Sequence, residues 1–325
     1  MFSVRKKLQD KHPQTFQLPC ASILSLARTV SGVFHRYPNY PTLPEETPEN
    51  SLPLQIGSKV LEKAYNNFLE HNTSKGYKFH WDNGNVYIVG MAKSEHEMIV
   101  IRLIKYFEVP NGGVDDDPPI ALTLQAFHRD PSHIKIKIAA DIAICPNIAL
   151  VQVPLNPGLP PGDTDNYSHA RIIVEVAVLE STAYWNKKCE TWLLEQYVRC
   201  VFGIKIHEQR RGSRHRSMTA KLWTRQIPPP AGSTSSANPN LAGVYIVEWD
   251  FGTAQFHGRG PTGCTAPGIA DYTVTIPVSD VFWDPPVNAG VLNLAGYTVA
   301  VPGGVIANNF VIDLYRLQQI VLKKQ

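Results

Sequence analysis

Two acidic residues stand in stretches of the sequence that are otherwise apolar. Glu175 interrupts the nearly unbroken apolar run of residues 171–178, and Asp141 opens a second apolar stretch that ends at Cys145. A buried, unpaired carboxylate is costly, so Glu175 requires a partner. Magnesium prefers hard oxygen ligands, and converging carboxylates can hold it beside water and phosphate. Both residues are therefore candidate metal ligands, although Asp141 alone could also simply make a turn hydrogen bond.

Strand geometry allows these two carboxylates to meet. Side chains two residues apart on a strand share a face, so Glu175 lies with Ile173 and Ala177, and Asp141 lies with Ala143. If the two strands are neighbours, both carboxylates lie beside small side chains that leave room for an ion.

A lysine in the next element could complete this set. Lys188 follows Trp185 by three residues and precedes Trp192 by four, at the margin of a helix's apolar stripe. We expect its amine to reach inward and Lys187 to point outward. The alternative is an ordinary solvated lysine that extends past Trp185.

The elements around these residues predict an α/β fold. Hydrophobic spacing and turn residues indicate a helix over 58–71, a hairpin of strands 77–80 and 86–90, and a helix that begins at a capping box formed by Ser94 and Glu97. Strands 134–138, 141–145 and 171–178 follow, then a helix from Ser181 to about residue 197 and a strand over 201–207. Segments 244–249, 272–277 and 310–322 either extend the same sheet or form a β-rich appendage.

Proline and glycine content divides the chain into four parts. We predict a basic, proline-rich N-terminal extension over 1–53, a core over 54–226, a flexible linker or insertion over 227–243, and a C-terminal β-rich extension over 244–325.

Basic residues cluster, although the formal net charge is only +3. The cluster includes Trp223 and suits phosphate contacts, with a solvated loop or a localisation signal as alternatives. Its candidate nucleic-acid-binding residues are Arg210, Arg211, Arg214, Arg216 and Lys221.

Cysteine usage and hydropathy bear on the location of the protein. The 5 cysteines are scattered without a C-x-x-C pair, which favours neither a disulfide framework nor a zinc site and fits an intracellular, cytoplasmic or nuclear location. No apolar run approaches the roughly 18 residues of a membrane span, so we expect no membrane association.

Three of these segments resemble the core of the PD-(D/E)XK nucleases. They are the strand Asp141-Ile-Ala-Ile, the strand Ile172-Ile-Val-Glu175-Val and the lysine helix. Ala177 stands where that superfamily usually has its lysine. In a branch of bacterial restriction endonucleases the lysine has moved into the following helix, and Lys188 in Lys188-Cys-Glu-Thr-Trp matches it. The similarity spans roughly residues 75–207, with vaguer likeness to fungal nuclease-like proteins in Val201-Phe-Gly-Ile-Lys-Ile and in the segments at Tyr272 and Phe310.

The resemblance implies a restriction-endonuclease-like mixed central sheet flanked by helices. It also implies a DNA endonuclease that uses Mg²⁺, with Mn²⁺ as a substitute, and that could form a homodimer. Asp141 and Glu175 would bind the metal with the backbone carbonyl of Val176, and Lys188 would activate water or stabilise the phosphate. Glu97, supported by His96, would be an additional acid. The alternative is a catalytically inactive nuclease fold that binds nucleic acid or protein, which Ala177 favours and metal binding would distinguish.

Overall fold

The computed structural model describes residues 52–71, 77–91, 93–151, 168–209, 215–258, 260–288 and 291–323. Within these ranges the α-helices are α1 (Glu62–His71), α2 (Ser94–Glu108), α3 (Thr182–Trp192) and α4 (Leu314–Leu322). The strands are β1 (Leu54–Gly57), β2 (Tyr77–Asp82), β3 (Asn85–Met91), β4 (Ile120–Thr123), β5 (Phe127–Asp130), β6 (His133–Ala139), β7 (Ile142–Pro146), β8 (Ile172–Ala177), β9 (Cys200–Ile206), β10 (Met218–Thr224), β11 (Thr234–Ser235), β12 (Tyr245–Asp250), β13 (Thr273–Pro277), β14 (Val287–Asn288), β15 (Val291–Leu292) and β16 (Asn309–Asp313).

A 7-stranded mixed sheet with the order β11-β12-β10-β9-β8-β7-β4 forms the centre of the fold. Strands β8 and β9 pair in parallel, and α3 connects them. The other pairings in this sheet are antiparallel. The predicted α/β class, with a mixed central sheet flanked by helices, is confirmed.

Strand β8 is buried on both faces, and its side chains point alternately into two hydrophobic cores. Val174 and Val176 pack in the core that includes α2 and α4. Ile173 and Ala177 pack in the core that includes Trp185 of α3. Glu175 has the same parity as Ile173, so it faces α3.

The C-terminal part of the chain both extends the sheet and adds a separate ladder. Strand β12 pairs with β10 in the central sheet. Strands β13 and β16 form a two-stranded ladder whose buried residues share the larger core with α2. The C-terminal segments therefore supply a strand of the central sheet and a ladder that packs on the same core.

The N-terminal hairpin lies in a separate 3-stranded sheet of order β1-β3-β2. Asn83 and Gly84 have φ values of 47° and 83°, the left-handed conformation that a tight two-residue turn between β2 and β3 requires. Lys78 pairs with Gly90, but Phe79 pairs with Ile88, so Val89 of β3 is the extra residue of a bulge opposite Lys78 and Phe79. The predicted hairpin and its turn are confirmed.

Some local predictions differ from the structure. The capping box is wrong: Lys93 is the N-cap of α2 and makes no side-chain cap hydrogen bond, and the Glu97 carboxylate contacts His96 instead. Ser181 does cap α3, accepting a hydrogen bond from the Tyr184 amide at 3.2 Å. That helix ends at Trp192 and not near residue 197.

Candidate active site

The sheet register brings Asp141 and Glu175 together. Strands β7 and β8 are antiparallel with Ile142 opposite Val174. Asp141, just before β7, therefore lies opposite Glu175 on β8. The Val176 amide donates a hydrogen bond to Asp141 Oδ2 at 2.7 Å, which fixes the aspartate against β8. Both carboxylates are buried. The two acids are therefore neighbours across β7 and β8, and their role as metal ligands stays a prediction.

Glu175 is held by two donors from α3. Lys188 Nζ donates to Glu175 Oε2 at 2.7 Å, and Trp192 Nε1 donates to Oε1 at 2.6 Å. Lys188 and Trp192 are four residues apart, so they lie on the same side of the helix. The inward direction of Lys188 is as predicted, and Lys187 is exposed.

Asp141 is held by groups from β2 and α2. Lys78 Nζ lies 3.0 Å from Asp141 Oδ1 and 3.3 Å from Oδ2. His96 Nε2 lies 3.1 Å from Oδ1, and His96 Nδ1 lies 3.0 Å from Glu97 Oε1. Glu97 is 52% exposed and therefore reaches Asp141 only through the His96 ring.

Lys78 also contacts two further oxygens. Its Nζ lies 3.3 Å from the Val176 carbonyl oxygen and 3.5 Å from Glu180 Oε1. Glu180 is buried just before α3. A Cβ atom at Gly90 would lie 2.9 Å from Glu180 Cγ, so the glycine makes room for this side chain.

Burial and these ion pairs shift the pKa values of the acids and lysines in the site. Burial acts to raise the pKa of Asp141, but Lys78 and His96 outweigh it and hold that pKa well below its usual range. Burial raises the pKa of Glu175 to about 7, although Lys188 opposes the shift. Burial acts to lower the pKa of Lys188, but Glu175 and Glu180 outweigh it and raise that pKa well above its usual range. The pKa of Lys78 is raised for the same reason, chiefly by Asp141. Both ammonium groups are therefore charged at neutral pH.

A cleft of about 620 Å³ leads to these residues from the side of the hairpin. Its polar lining includes Lys78, Asp141, Glu180 and Lys188. Its aromatic lining consists of Tyr65, Tyr77, Phe79, Trp81, Phe127 and Tyr184. A ligand in this cleft would therefore lie beside aromatic and charged side chains together.

The oxygen donors suit a hard cation. No group of three or more His, Cys, Asp or Glu side chains forms a metal site among the described residues. The Asp141 carboxylate and the Val176 carbonyl nevertheless converge on one point, because both lie within 3.3 Å of Lys78 Nζ. Magnesium usually keeps several of its waters and needs only one or two protein carboxylates. The residues present therefore fit Mg²⁺. Glu175 lies next to Asp141 and accepts hydrogen bonds from Lys188 and Trp192 of α3.

The basic cluster is only partly described. Arg210, Arg211 and Arg214 lie outside the described residues. Arg216 is buried and donates to Glu95 Oε1 at 2.6 Å and to the His207 carbonyl at 3.0 Å. Lys221 lies on β10, 3.0 Å from a Glu248 carboxylate oxygen. Nucleic-acid contact by this cluster stays a prediction.

Sequence reasoning missed three members of the site: Lys78, Glu180 and the indole donor of Trp192. Lys78 has no local signal, since it is one lysine in an ordinary hairpin strand. Glu180 could have been noticed as a second acid shortly after Glu175, immediately before the N-cap of α3.

Comparisons with known proteins add little. No family model matches the chain, and no curated protein matches it significantly. A structural search finds the crystal structure of a "putative nuclease belonging to DUF820" from Anabaena variabilis, with a TM-score of 0.33 and 11% sequence identity. The match covers 49% of this chain and 78% of that one. This similarity is too low for any function to be transferred from it.

The length and hydropathy of its helices decide whether a chain can span a bilayer. Across the described residues, none combines the length and the apolar character that a membrane-spanning segment needs.

Proposed function

We propose that this protein is a metal-dependent endonuclease that hydrolyses phosphodiester bonds in DNA. One observation carries the proposal: Asp141 and Lys188 line the same cleft, and Lys188 is hydrogen-bonded to Glu175, which lies next to Asp141 on strand β8. Two acids and a lysine at one buried point form the kind of set that metal-assisted phosphoryl transfer uses.

Each residue has a distinct role in this proposal. Asp141 and the Val176 carbonyl hold Mg²⁺ or Mn²⁺, and Glu175 is a further candidate ligand. The chemistry that the bound ion supplies is polarisation of the phosphate and a lowered pKa of its water. Lys188 places its positive charge beside the reacting phosphate, where negative charge increases in the transition state. Trp192 and Lys188 fix the orientation of Glu175.

The character of the cleft supports a nucleic-acid substrate. Its aromatic rings offer faces on which nucleobases can stack, and stacking tolerates any base sequence. The ammonium groups of Lys78 and Lys188 at its inner end suit the phosphate backbone.

Cleavage of supercoiled plasmid tests the proposal. We expect metal-free protein to be inactive and Mg²⁺ or Mn²⁺ to give cleavage that Asp141→Asn, Glu175→Gln and Lys188→Met each abolish. The control is Lys105→Met, which removes the same charge from an exposed position of α2 outside the cleft and should keep activity. A wild-type protein that is inert with both metals contradicts the proposal, and cleavage that survives all three substitutions assigns it to another site or a contaminant.

A second candidate is an inactive nuclease fold that binds nucleic acid or protein. The observation that favours it is charge pairing: Asp141 with Lys78 and Glu175 with Lys188 already neutralise one another. Ala177 at the usual position of the superfamily's lysine agrees with it. DNA retention in a mobility-shift assay, without cleavage and without metal binding, would support this candidate.

A further inference from the structure

The Lys78 ammonium lies where the oxygen atoms of the site converge. Its Nζ lies 3.0 Å from Asp141 Oδ1, 3.3 Å from Asp141 Oδ2 and 3.3 Å from the Val176 carbonyl oxygen. Glu180 Oε1 completes the set at 3.5 Å. An ammonium only donates hydrogen bonds, and each of these oxygens accepts. Lys78 therefore uses the same oxygens that a hard metal ion would use.

The two cations exclude each other sterically and electrostatically. Mg²⁺ binds oxygen at about 2.0–2.1 Å, so an ion held by Asp141 and Val176 would lie within contact of the present Lys78 Nζ position. A divalent ion and an ammonium at that separation repel strongly in a buried site, where solvent screening is weak.

Lys78 can leave without disturbing the central sheet. It belongs to β2 in the separate 3-stranded sheet and reaches Asp141 through its side-chain amine. It also lines the cleft, so its flexible four-carbon stem has space into which it can move.

The geometry points to Lys78 as a built-in counter-cation that occupies the metal position and is displaced when a divalent ion binds. Metal affinity is then set by competition with this side chain, and the metal-free site keeps Asp141 neutralised. The inference rests on the proposed function, because the competing ion is the metal of that nuclease site.

Calorimetric titration of the full chain with Mn²⁺ tests this competition. We expect Lys78→Met to lower the Kd for Mn²⁺ by about tenfold or more, a change of about 1.4 kcal/mol per factor of ten. The control Lys105→Met removes an exposed lysine of α2 that lies outside the cleft, and it should change the Kd for Mn²⁺ less than about threefold. Asp141→Asn should abolish binding and thereby assign the measured ion to this site.

The outcomes separate the two proposals. If wild type and Lys78→Met bind Mn²⁺ at Asp141 with equal Kd, or if the variant binds more weakly, Lys78 does not compete and this inference fails while the nuclease proposal stands. If neither protein binds Mn²⁺ and plasmid remains uncut, both fail.

A second measurement uses the wild-type protein and so does not depend on the folding of a variant. Acetylation of lysines by an amine-reactive reagent can be followed by peptide mass spectrometry, with and without saturating Mn²⁺. We expect bound Mn²⁺ to increase the rate of acetylation at Lys78 several-fold relative to Lys105, which is exposed on α2 outside the cleft. An unchanged ratio while Mn²⁺ is bound would overturn the inference.

Discussion

Trp192 donates its indole hydrogen to Glu175 Oε1 at 2.6 Å, so a residue of the hydrophobic core directly orients the candidate catalytic carboxylate. The other oxygen accepts from Lys188 at 2.7 Å. Helix α3 thus supplies both partners that make a buried glutamate tolerable in β8. The packing of α3 on the sheet and the geometry of the site are therefore linked.

Trp192→Phe tests this link. The substitution keeps an aromatic ring but removes the donor, which leaves Glu175 Oε1 without this hydrogen bond. We expect the free energy of unfolding to fall by about 1–3 kcal/mol beyond the packing loss, measured by urea denaturation. The control is Trp185→Phe, since Trp185 is also fully buried and its Nε1 has no hydrogen-bond partner among the described residues. Equal losses in the two variants would mean that the hydrogen bond contributes nothing.

Gly203→Ala tests the close packing behind the same carboxylate. Gly203 pairs with Glu175 across the parallel ladder, and a Cβ there would lie 2.6 Å from Trp185 Cζ2 and 2.9 Å from Trp223 Cζ3. Both rings are buried, so we expect a loss of about 1–3 kcal/mol in unfolding free energy from overpacking. Gly303→Ala, where nothing lies within 4 Å, should have little effect. Wild-type stability in Gly203→Ala would show that the rings move aside freely.

The Glu175 and Lys188 pair should show strong coupling in a double-mutant cycle. Removing one partner alone leaves the other charge buried, which typically costs about 3–5 kcal/mol, whereas removing both avoids that cost. We therefore expect Glu175→Gln with Lys188→Met to lose much less stability than the sum of the single losses. The control pair is Lys221 with Glu248, where Glu248 is 44% exposed and coupling should stay below about 1 kcal/mol. Additive losses at Glu175 and Lys188 would contradict the burial argument.

The sequence predicted those parts of the site that depend on local periodicity. Strand alternation grouped Glu175 with Ile173 and Ala177, and helical spacing turned Lys188 inward, because both patterns are properties of a single element. Lys78 was missed because its contact with Asp141 spans 63 positions and depends on how the hairpin packs on the sheet. Ser94 and Glu97 matched a capping pattern, but the Glu97 side chain contacts His96 instead.

Strand β10 was missed for a different reason. Its sequence, Met218–Thr224, overlaps the end of the basic cluster, and the charged residues there were interpreted as phosphate contacts and not as part of a buried strand. In the structure all of its residues except Lys221 are buried between β9 and β12. Pairing on both sides can bury a strand whose own hydrophobic pattern is weak.

Glu195 predicts a pH dependence of stability that is separate from the active site. It follows α3 and is only 7% exposed, and burial, with a smaller contribution from Asp130, raises its pKa from 4.5 to about 8. The folded state therefore binds a proton more tightly than the unfolded chain does. Between these two pKa values the free energy of unfolding falls as pH rises, because ionisation of Glu195 favours the unfolded state.

Glu195→Gln removes this titration while keeping a neutral side chain of similar shape. The variant should gain stability relative to wild type as pH rises from 5 to 8, with a slope on the order of 1 kcal/mol per pH unit. Urea denaturation at several pH values measures this difference, and Glu208→Gln, at an exposed position, supplies the background. A stability difference that stays constant over this range would show that Glu195 is not protonated in the folded protein, and that water or a neighbouring group compensates for its burial.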